Sequence, residues 1–571
     1  MSASPGYATG AADRPLWSNP YLLVGGGIIV MLLGLAFGGH FAIGPSYWDM
    51  SIYLDAAQRI ANGQKPNVDF LTPAGPLEYY LFYIVNRLFP DSHPLLSTHW
   101  ATLAVTIPLY LLVLKSIDIK SRSVALLVTV PFLCFALLPI NTVAHYPAPG
   151  FDGYGIYNRH PALLIYVLVA ALLFVGNRLL LQVVIGLALL SLFFMKITGF
   201  VSGVLLVGYA FLAGRVRFTD TVLCALAVII ALGVIELSTG IVTAYLQNVI
   251  QLAGLNEGSF IRRFRPFVGS HLELFLPLSL AVLLLALIAI RENSTEGNVA
   301  ARLRRLLDSD PAWLAAIVIC AFIFEIQNTG SQEFIYIIPA VMLTLHRLWY
   351  SQHVWRFGII AILAAMSLPL FTTVAYRGVQ TLISQTTYQK LDQPVLGPLG
   401  RVSSRSSFFL RAAAMNRHYV EARDSYRKLA NEGISHSDIL TAEPDFQLAW
   451  LINTAAAVRA LLAFEANSGR QLQTIYTFDF TDPMPFLLGR RPIRYVQIGL
   501  DAIRTLPPKD ERMLKSIAAA DGILVPLCPI MPMREEIAKR FAPATEGRQR
   551  ISLTPCWDLL IRNGSDFASV H

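Results

Sequence analysis

Charge is scarce in this chain: only 14% of its 571 residues are Asp, Glu, Lys or Arg. Ordinary soluble domains carry about 25%, so the chain is not a plain soluble protein. No internal repeat is visible, and the inverted-repeat plan of many transporters gains no support. The C-terminal region has no phosphate-cradling glycine motif and no zinc-ligand spacing. The N-terminus lacks a short signal-peptide pattern, and its first apolar block is long enough to stay as an uncleaved anchor. The formal net charge of +8 does not mark a nucleic-acid binder, because basic residues in a membrane protein mostly mark cytoplasmic loops.

Apolar residues are plentiful, at 54%, and they come in long blocks such as "LLLQVVIGLALLSLFFM" and "LFLPLSLAVLLLALIAI". Uncharged runs of about 18 or more residues read as transmembrane helices. Lipid demands that every backbone group be paired, and these runs do not alternate as barrel strands do. Spans are expected near 20–42, 96–114, 123–139, 161–176, 179–195, 197–213, 221–245, 272–290, 312–327, 333–349 and 357–375. That is a polytopic α-helical membrane protein of about eleven helices.

With the N-terminus in the cytoplasm, every second loop is basic. Lys115, Lys120 and Arg122 fall inside, followed by Arg178, Arg215 and Arg217, then Arg291, Arg302, Arg304 and Arg305, then Arg347 and Arg356. The C-terminal region then lies outside. Residues 1–380 read as the transmembrane domain, with a first exterior loop at 43–95, and 381–571 as a soluble α/β domain. In that domain "TIYTFDF", "IRYVQIGL" and "DGILVPL" read as strands, "PMREEIAKRF" as a helix and "ISLTPCWDLLIR" as a last strand. Cys134, Cys224 and Cys320 fall within spans as apolar filler. Cys528 and Cys556 are able to pair if their region is outside the cytoplasm.

The first exterior loop concentrates carboxylates. In "SYWDMSIYLDAAQRIANGQKPNVDF" the apolar Met50, Tyr53, Leu54, Ala57, Ile60 and Ala61 recur at helical spacing, and Gly63 stops the helix. It reads as an amphipathic helix on the membrane surface, with Asp55 solvated or capping. Asp49 stands at its start, where it is either an N-cap or a general base facing an acceptor hydroxyl. Asp69 and Glu78 flank a proline-fixed turn and are candidates to shape or bind in a pocket there.

These residues carry a resemblance. The segment "WDMSIYLDAAQRIANGQKPNVDFLTPAGPLEYYLFY" resembles the first periplasmic loop of GT-C glycosyltransferases, above all the family of the lipid A aminoarabinose transferase. Protein O-mannosyltransferases are more distant kin. Matching positions are Asp49, Tyr53, Ala61, Gly63, Asp69, Phe70, Pro73, Gly75 and Pro76. Met50 stands where that family usually has glutamate, which removes one oxygen ligand and leaves a divalent metal unsupported. The resemblance implies transfer of a sugar from a polyprenyl-phosphate donor to a glycan, lipid or protein acceptor at the outer face of the bacterial inner membrane. Asp49 would be the catalytic aspartate.

Such a donor needs cations for its phosphate. Lys196 lies between two apolar blocks, where it either snorkels or binds phosphate; a lysine in this place is similar to the family's. Arg159 sits in "HYPAPGFDGYGIYNRHPALL" beside Asp152, read as a turn residue, and Tyr53 lies one helical turn from Asp49. His145 and His160 have no metal-ligand spacing. Arg262, Arg263 and Arg265 break the positive-inside pattern, either as phosphate ligands or as headgroup anchors. Glu325 within a span, with Glu333, Tyr336 and Pro339 after it, lies near the same face. Asp479 and Asp482 read as a turn or a binding loop. The rivals are a lipid-linked-sugar flippase and a non-enzymatic envelope assembly protein.

Overall fold

The computed structural model describes residues 18–144, 146, 148–256, 259–292, 299–327, 332–434, 443–501, 505–506 and 510–562. Every expected span is met by a helix. The order is α1 (Pro20–Ala36), α2 (Met50–Ala61), α3 (Pro76–Leu88), α4 (Pro94–Ala101), α5 (Leu103–Lys120), α6 (Arg122–Leu137), α7 (Ile156–Phe174), α8 (Arg178–Met195) and α9 (Ile197–Leu212). There follow α10 (Phe218–Thr239), α11 (Ile241–Leu255), α12 (Ser259–Ser270), α13 (Leu272–Glu292), α14 (Val299–Leu307), α15 (Asp310–Ile326), α16 (Ile338–Trp349) and α17 (Arg356–Gln385).

Among the described residues, 7 helices are long and apolar enough to cross a bilayer: α4 with α5, α7, α8, α10, α13, α17 and Pro444–Ser468. Pro444–Ser468 packs on the helix Ser406–Glu421 and on the C-terminal sheet, so it belongs to the domain that follows α17, which the charge pattern leads one to expect outside the membrane and which is called the outer domain for that reason. Shorter apolar helices, and α14 with α15 across a 66° bend, complete the expected set. The span expected at 221–245 ends early: Gly240 takes φ +70° and opens a separate helix, α11. Glycine bears that backbone without strain.

α7 is the axis of the bundle, with every residue from Asn158 to Phe174 buried against α5, α8, α9 and α16. Ion pairs tie helix ends together at one end of the bundle. Arg178 meets Asp220 at 2.5 Å and Arg215 meets Asp308 at 2.6 Å. The cluster described below lies at the other end of the same helices.

The outer domain holds a five-stranded sheet: β4 (Thr474–Thr477), β5 (Arg491–Pro492), β6 (Gly522–Pro526), β7 (Arg548–Thr554) and β8 (Trp557–Arg562), in the order β5-β4-β6-β8-β7. A smaller sheet joins β1 (Phe41–Ala42) through β3 (Val402–Ser404) to β2 (Gln389–Lys390), so the start of the first loop is stitched to the start of the outer domain. Two expectations change. "ISLTPCWDLLIR" is a hairpin, β7 and β8, turning at Pro555–Cys556. "IRYVQIGL" lies outside the sheet, just after β5; Gln497 instead forms a parallel bridge with Leu71 of the first loop. Cys528 and Cys556 form a disulfide, with Cα atoms 5.0 Å apart.

α2 does not lie on a membrane surface with its polar face in water. Met50 to Ala57 and Arg59 are all buried. The outer domain covers the polar face: Gln58 Nε2 donates to Arg490 O at 3.0 Å and Arg59 donates to Ile493 O at 2.5 Å. Asp55, expected to be solvated, is 1% exposed and pairs with Arg59 at 2.9 Å. One hydrophobic core runs from the spans through α2 into the outer domain, taking in Leu399, Val402, Trp450 and Ile498.

Candidate functional site

The site is built where two loops zip together. Gly44 N–H donates to Phe151 O at 2.7 Å, Phe151 N–H to Ala42 O at 2.8 Å and Gly153 N–H to Pro45 O at 3.0 Å. The approach is close enough that a Cβ on Gly153 would sit 2.5 Å from Ser46 O, so only glycine fits. Ser46 then adopts a left-handed turn, φ +56°, and aims Tyr47–Asp49 into α2.

Asp49 is not an N-cap. Its backbone is already helical, φ −58° and ψ −23°, and its side chain makes no cap hydrogen bond. It is 9% exposed, and burial pushes its carboxyl up to about 8, because a charge in low dielectric lacks hydration. Next to it, Trp48 N–H donates to Gln447 Oε1 at 2.7 Å and the Trp48 ring packs against Phe446 and Phe480. The outer domain therefore packs over Trp48, the residue next to the aspartate.

Tyr53 follows one turn along α2, four residues on, on the same face. Its hydroxyl donates to Glu78 Oε2 at 2.9 Å. Glu78 Oε1 stands 3.3 Å from His160 Nδ1, although neither atom is aligned for a hydrogen bond. Glu78 reaches this point because Gly75 N–H donates to Met195 O at 2.8 Å. That bond docks the start of α3 on the break between α8 and α9, and Lys196 occupies the break. Lys196 donates from Nζ to Asn158 Oδ1 and lies 4.8 Å from the centre of the Tyr157 ring.

Arg159 is fully buried. Nε donates to Asn141 Oδ1 at 2.9 Å and one terminal nitrogen to Asp152 O at 2.7 Å. The other terminal nitrogen, NH1, is buried without a partner. Asp152 does more than shape a turn: it accepts from Asn141 N–H at 2.8 Å and pairs with Arg377 at 3.1 Å. The structure thus links Tyr53, Glu78, Arg159 and Lys196 at the ends of α2, α3, α7 and α8, and Asp49 stands one turn before Tyr53 on α2.

Asp69 and the three arginines go elsewhere. Asp69 accepts from Lys65 N–H at 2.8 Å and stands 3.8 Å from Arg494, so it fixes the turn and faces the outer domain. Arg262, Arg263 and Arg265 lie on α12, whose packing partners are α13 and α15. Arg262 and Arg265 are exposed beside the exposed apolar Ile261 and Phe264. Asp479 forms a two-pronged ion pair with Arg534 at 2.9 and 2.7 Å within the outer domain. His145 lies outside the described residues. Sequence reading places Arg59 on the polar face of α2 without finding its partner Ile493 O and misses Arg377 altogether; each lies on a helix, and nothing in local spacing announces its distant partner. Among the described residues, no three His, Cys, Asp or Glu side chains group as metal ligands. An open cleft of about 340 Å³ in the outer domain, lined by Asn416, Arg417, Glu421, Asn453 and Thr554, shares no residue with this cluster.

Neither the family models nor the curated proteins searched contain a match to this chain. Two solved structures align along its length. ArnT from Cupriavidus metallidurans bound to undecaprenyl phosphate is 13% identical, with a TM-score of 0.43, over 96% of this chain and 98% of its own. ArnT from the same organism in the apo state is 14% identical, with a TM-score of 0.40, over 96% and 99%.

Proposed function

We propose that this chain is a membrane glycosyltransferase of the GT-C type, moving a sugar from a polyprenyl-phosphate donor to an envelope glycan, lipid or protein on the exterior face. One observation carries the reading: Asp49, buried and free of any capping bond, shares a face of α2 with Tyr53, which reaches through Glu78 toward Lys196. An acid able to take a proton and a cation able to hold a phosphate thus stand at one end of one bundle. The pattern from Asp49 to Pro76 supports the same reading.

In the proposed reaction the acceptor hydroxyl loses its proton to Asp49 and its oxygen attacks the anomeric carbon from the face opposite the phosphate. The bond from that carbon to the phosphate oxygen breaks, with inversion, and the phosphate leaves with the electron pair. Lys196 and Arg159, whose NH1 has no internal partner, neutralise the leaving group. Preorganised donors are worth most in a site that excludes water. Arg262, Arg263 and Arg265 are cast as outer ligands that gather anionic headgroups at the bilayer surface.

The test is to identify the lipid or glycan lost when the gene is deleted, then to ask whether Asp49→Asn restores it. The expected result is no restoration by a protein present at wild-type level. Full restoration would remove Asp49 as the base.

A further inference from the structure

Asn158 takes no part in the reaction just described, yet it is fully buried in the first turn of α7. Its Oδ1 accepts from Lys196 Nζ, and the same ammonium lies 4.8 Å from the centre of the neighbouring Tyr157 ring. Chemistry fixes which way the amide is turned. An ammonium has three donors and no acceptor, so only the oxygen can face it. The other arm of the same planar amide is Nδ2, which is buried and has no hydrogen-bond partner. Two idle N–H donors in a place closed to water are costly unless an acceptor arrives.

The side-chain acceptors around the start of α7 are engaged elsewhere. Glu78 Oε2 receives the Tyr53 hydroxyl, and Asn141 Oδ1 receives Arg159 Nε. Asp152 serves Asn141 N–H and Arg377. Glu78 Oε1 makes no hydrogen bond, but it faces His160 Nδ1 at 3.3 Å. A phosphate brings what Nδ2 lacks: neighbouring oxygens that accept from an ammonium and from an amide N–H at once.

Resting on the reading of Lys196 as a phosphate ligand, we infer that Asn158 is a second ligand of the same lipid phosphate: its Oδ1 holds the ammonium, and its Nδ2 donates to a phosphate oxygen beside it. One rigid amide thus joins cation and anion. It sets the direction of the flexible lysine and adds a neutral donor that needs no counter-charge when the site is empty.

The experiment uses methyl geranylgeranyl phosphate, a singly charged diester, as the phosphate probe. The purified full chain, 15N-labelled at asparagine, is placed in digalactosyldiacylglycerol membranes, so that the probe carries the phosphorus. Asn158→Leu is expected to bind the probe about tenfold more weakly. It is expected to bind geranylgeraniol, which has no phosphate, as tightly as wild type. At saturating probe, dipolar coupling to 31P is expected to dephase a side-chain amide 15N signal in wild type that is missing from Asn158→Leu. Asn158→Ser takes the place of the leucine chain if that one does not fold. If the variant binds the probe like wild type, or loses geranylgeraniol equally, Asn158 is not a phosphate ligand. If affinity falls and no such signal dephases, the amide only anchors the lysine and the donor role is wrong. Lys196→Met tests the underlying reading separately. It is expected to weaken the probe, and binding equal to wild type would remove Lys196 as the phosphate ligand, whatever the Asn158 amide shows.

Discussion

The docking of α3 on the α8–α9 break rests on one missing methyl group. Gly75 has φ −70° and ψ 159°, a backbone any residue adopts, so alanine there meets no torsional penalty. It meets a wall: its Cβ would lie 2.0 Å from Phe194 O and 2.8 Å from Met195 O. Comfortable non-bonded separations begin near about 3.5 Å, so α3 would have to back away by about 1.5 Å. Both obstacles are backbone atoms and neither can swing aside. Overpacking of this kind costs about 1–3 kcal/mol, and losing the Gly75 N–H bond to Met195 O adds about 1 kcal/mol. We expect Gly75→Ala to be destabilised by about 2–4 kcal/mol, read as faster heat inactivation in detergent at matched concentration. Gly186→Ala is the control, because α8 leaves that position open with nothing within 4 Å; helix propensity makes it neutral or slightly stabilising. Since the same contact brings Glu78 beside Lys196, phosphate-probe binding is also expected to weaken. If Gly75→Ala survives heating as well as Gly186→Ala and binds the probe unchanged, the proposed docking contact is wrong.

Further outcomes follow from three other sites. Burial holds the Asp49 carboxyl near about 8, so about one molecule in ten carries the base form at pH 7 and about nine in ten at pH 9; kcat/KM for sugar transfer should climb about tenfold across that interval, and a flat profile would exclude this ionisation from the step. By linkage, the proton held in the folded state favours folding below that value and the benefit disappears as pH rises through it, so Asp49→Asn should become relatively more stable than wild type in base. Arg59→Met leaves Asp55 and Asp482 facing each other in the interior, where Asp482 is already raised to about 7 by burial and by Asp55; removing one partner of a buried pair costs about 3–5 kcal/mol, and proteolysis should release the outer domain, with resistance equal to wild type counting against the clamp. Replacing both Cys528 and Cys556 by serine opens a loop with a sequence separation of 28, worth about 3–4 kcal/mol by chain entropy; hydrogen exchange in β6 and β8 should rise, and unchanged protection would show the bridge is dispensable.

Much of the bundle was legible because hydropathy acts over whole helices: each long apolar run became a helix, and Gly63, Gly155 and Gly240 ended or opened segments through positive φ. The helical spacing from Met50 to Ala61 was also readable. What its polar face meets was not, because Arg59 finds Ile493 O and Gln64 finds Pro492 O across more than 400 residues. Spacing along a helix reports that a face is polar, not whether water or another domain covers it. Asp49 was ambiguous for a related reason: N-cap and base share one residue type and one position, and only backbone angles and the absence of a cap bond remove the N-cap reading. Asp152 hid its partner in the same way, since Arg377 lies 225 residues further on.

The burial of α2 beneath the outer domain sets an order of events during synthesis. Arg59 leaves the ribosome 434 residues ahead of the carbonyl it binds, and Trp48 waits 399 residues for Gln447. Until the final third of the polypeptide emerges and folds, the helix bearing Asp49 is a half-finished surface with an ion pair open to water. A chain stopped after α17 would expose that unfinished face permanently, so the nascent bundle must remain competent until its roof arrives.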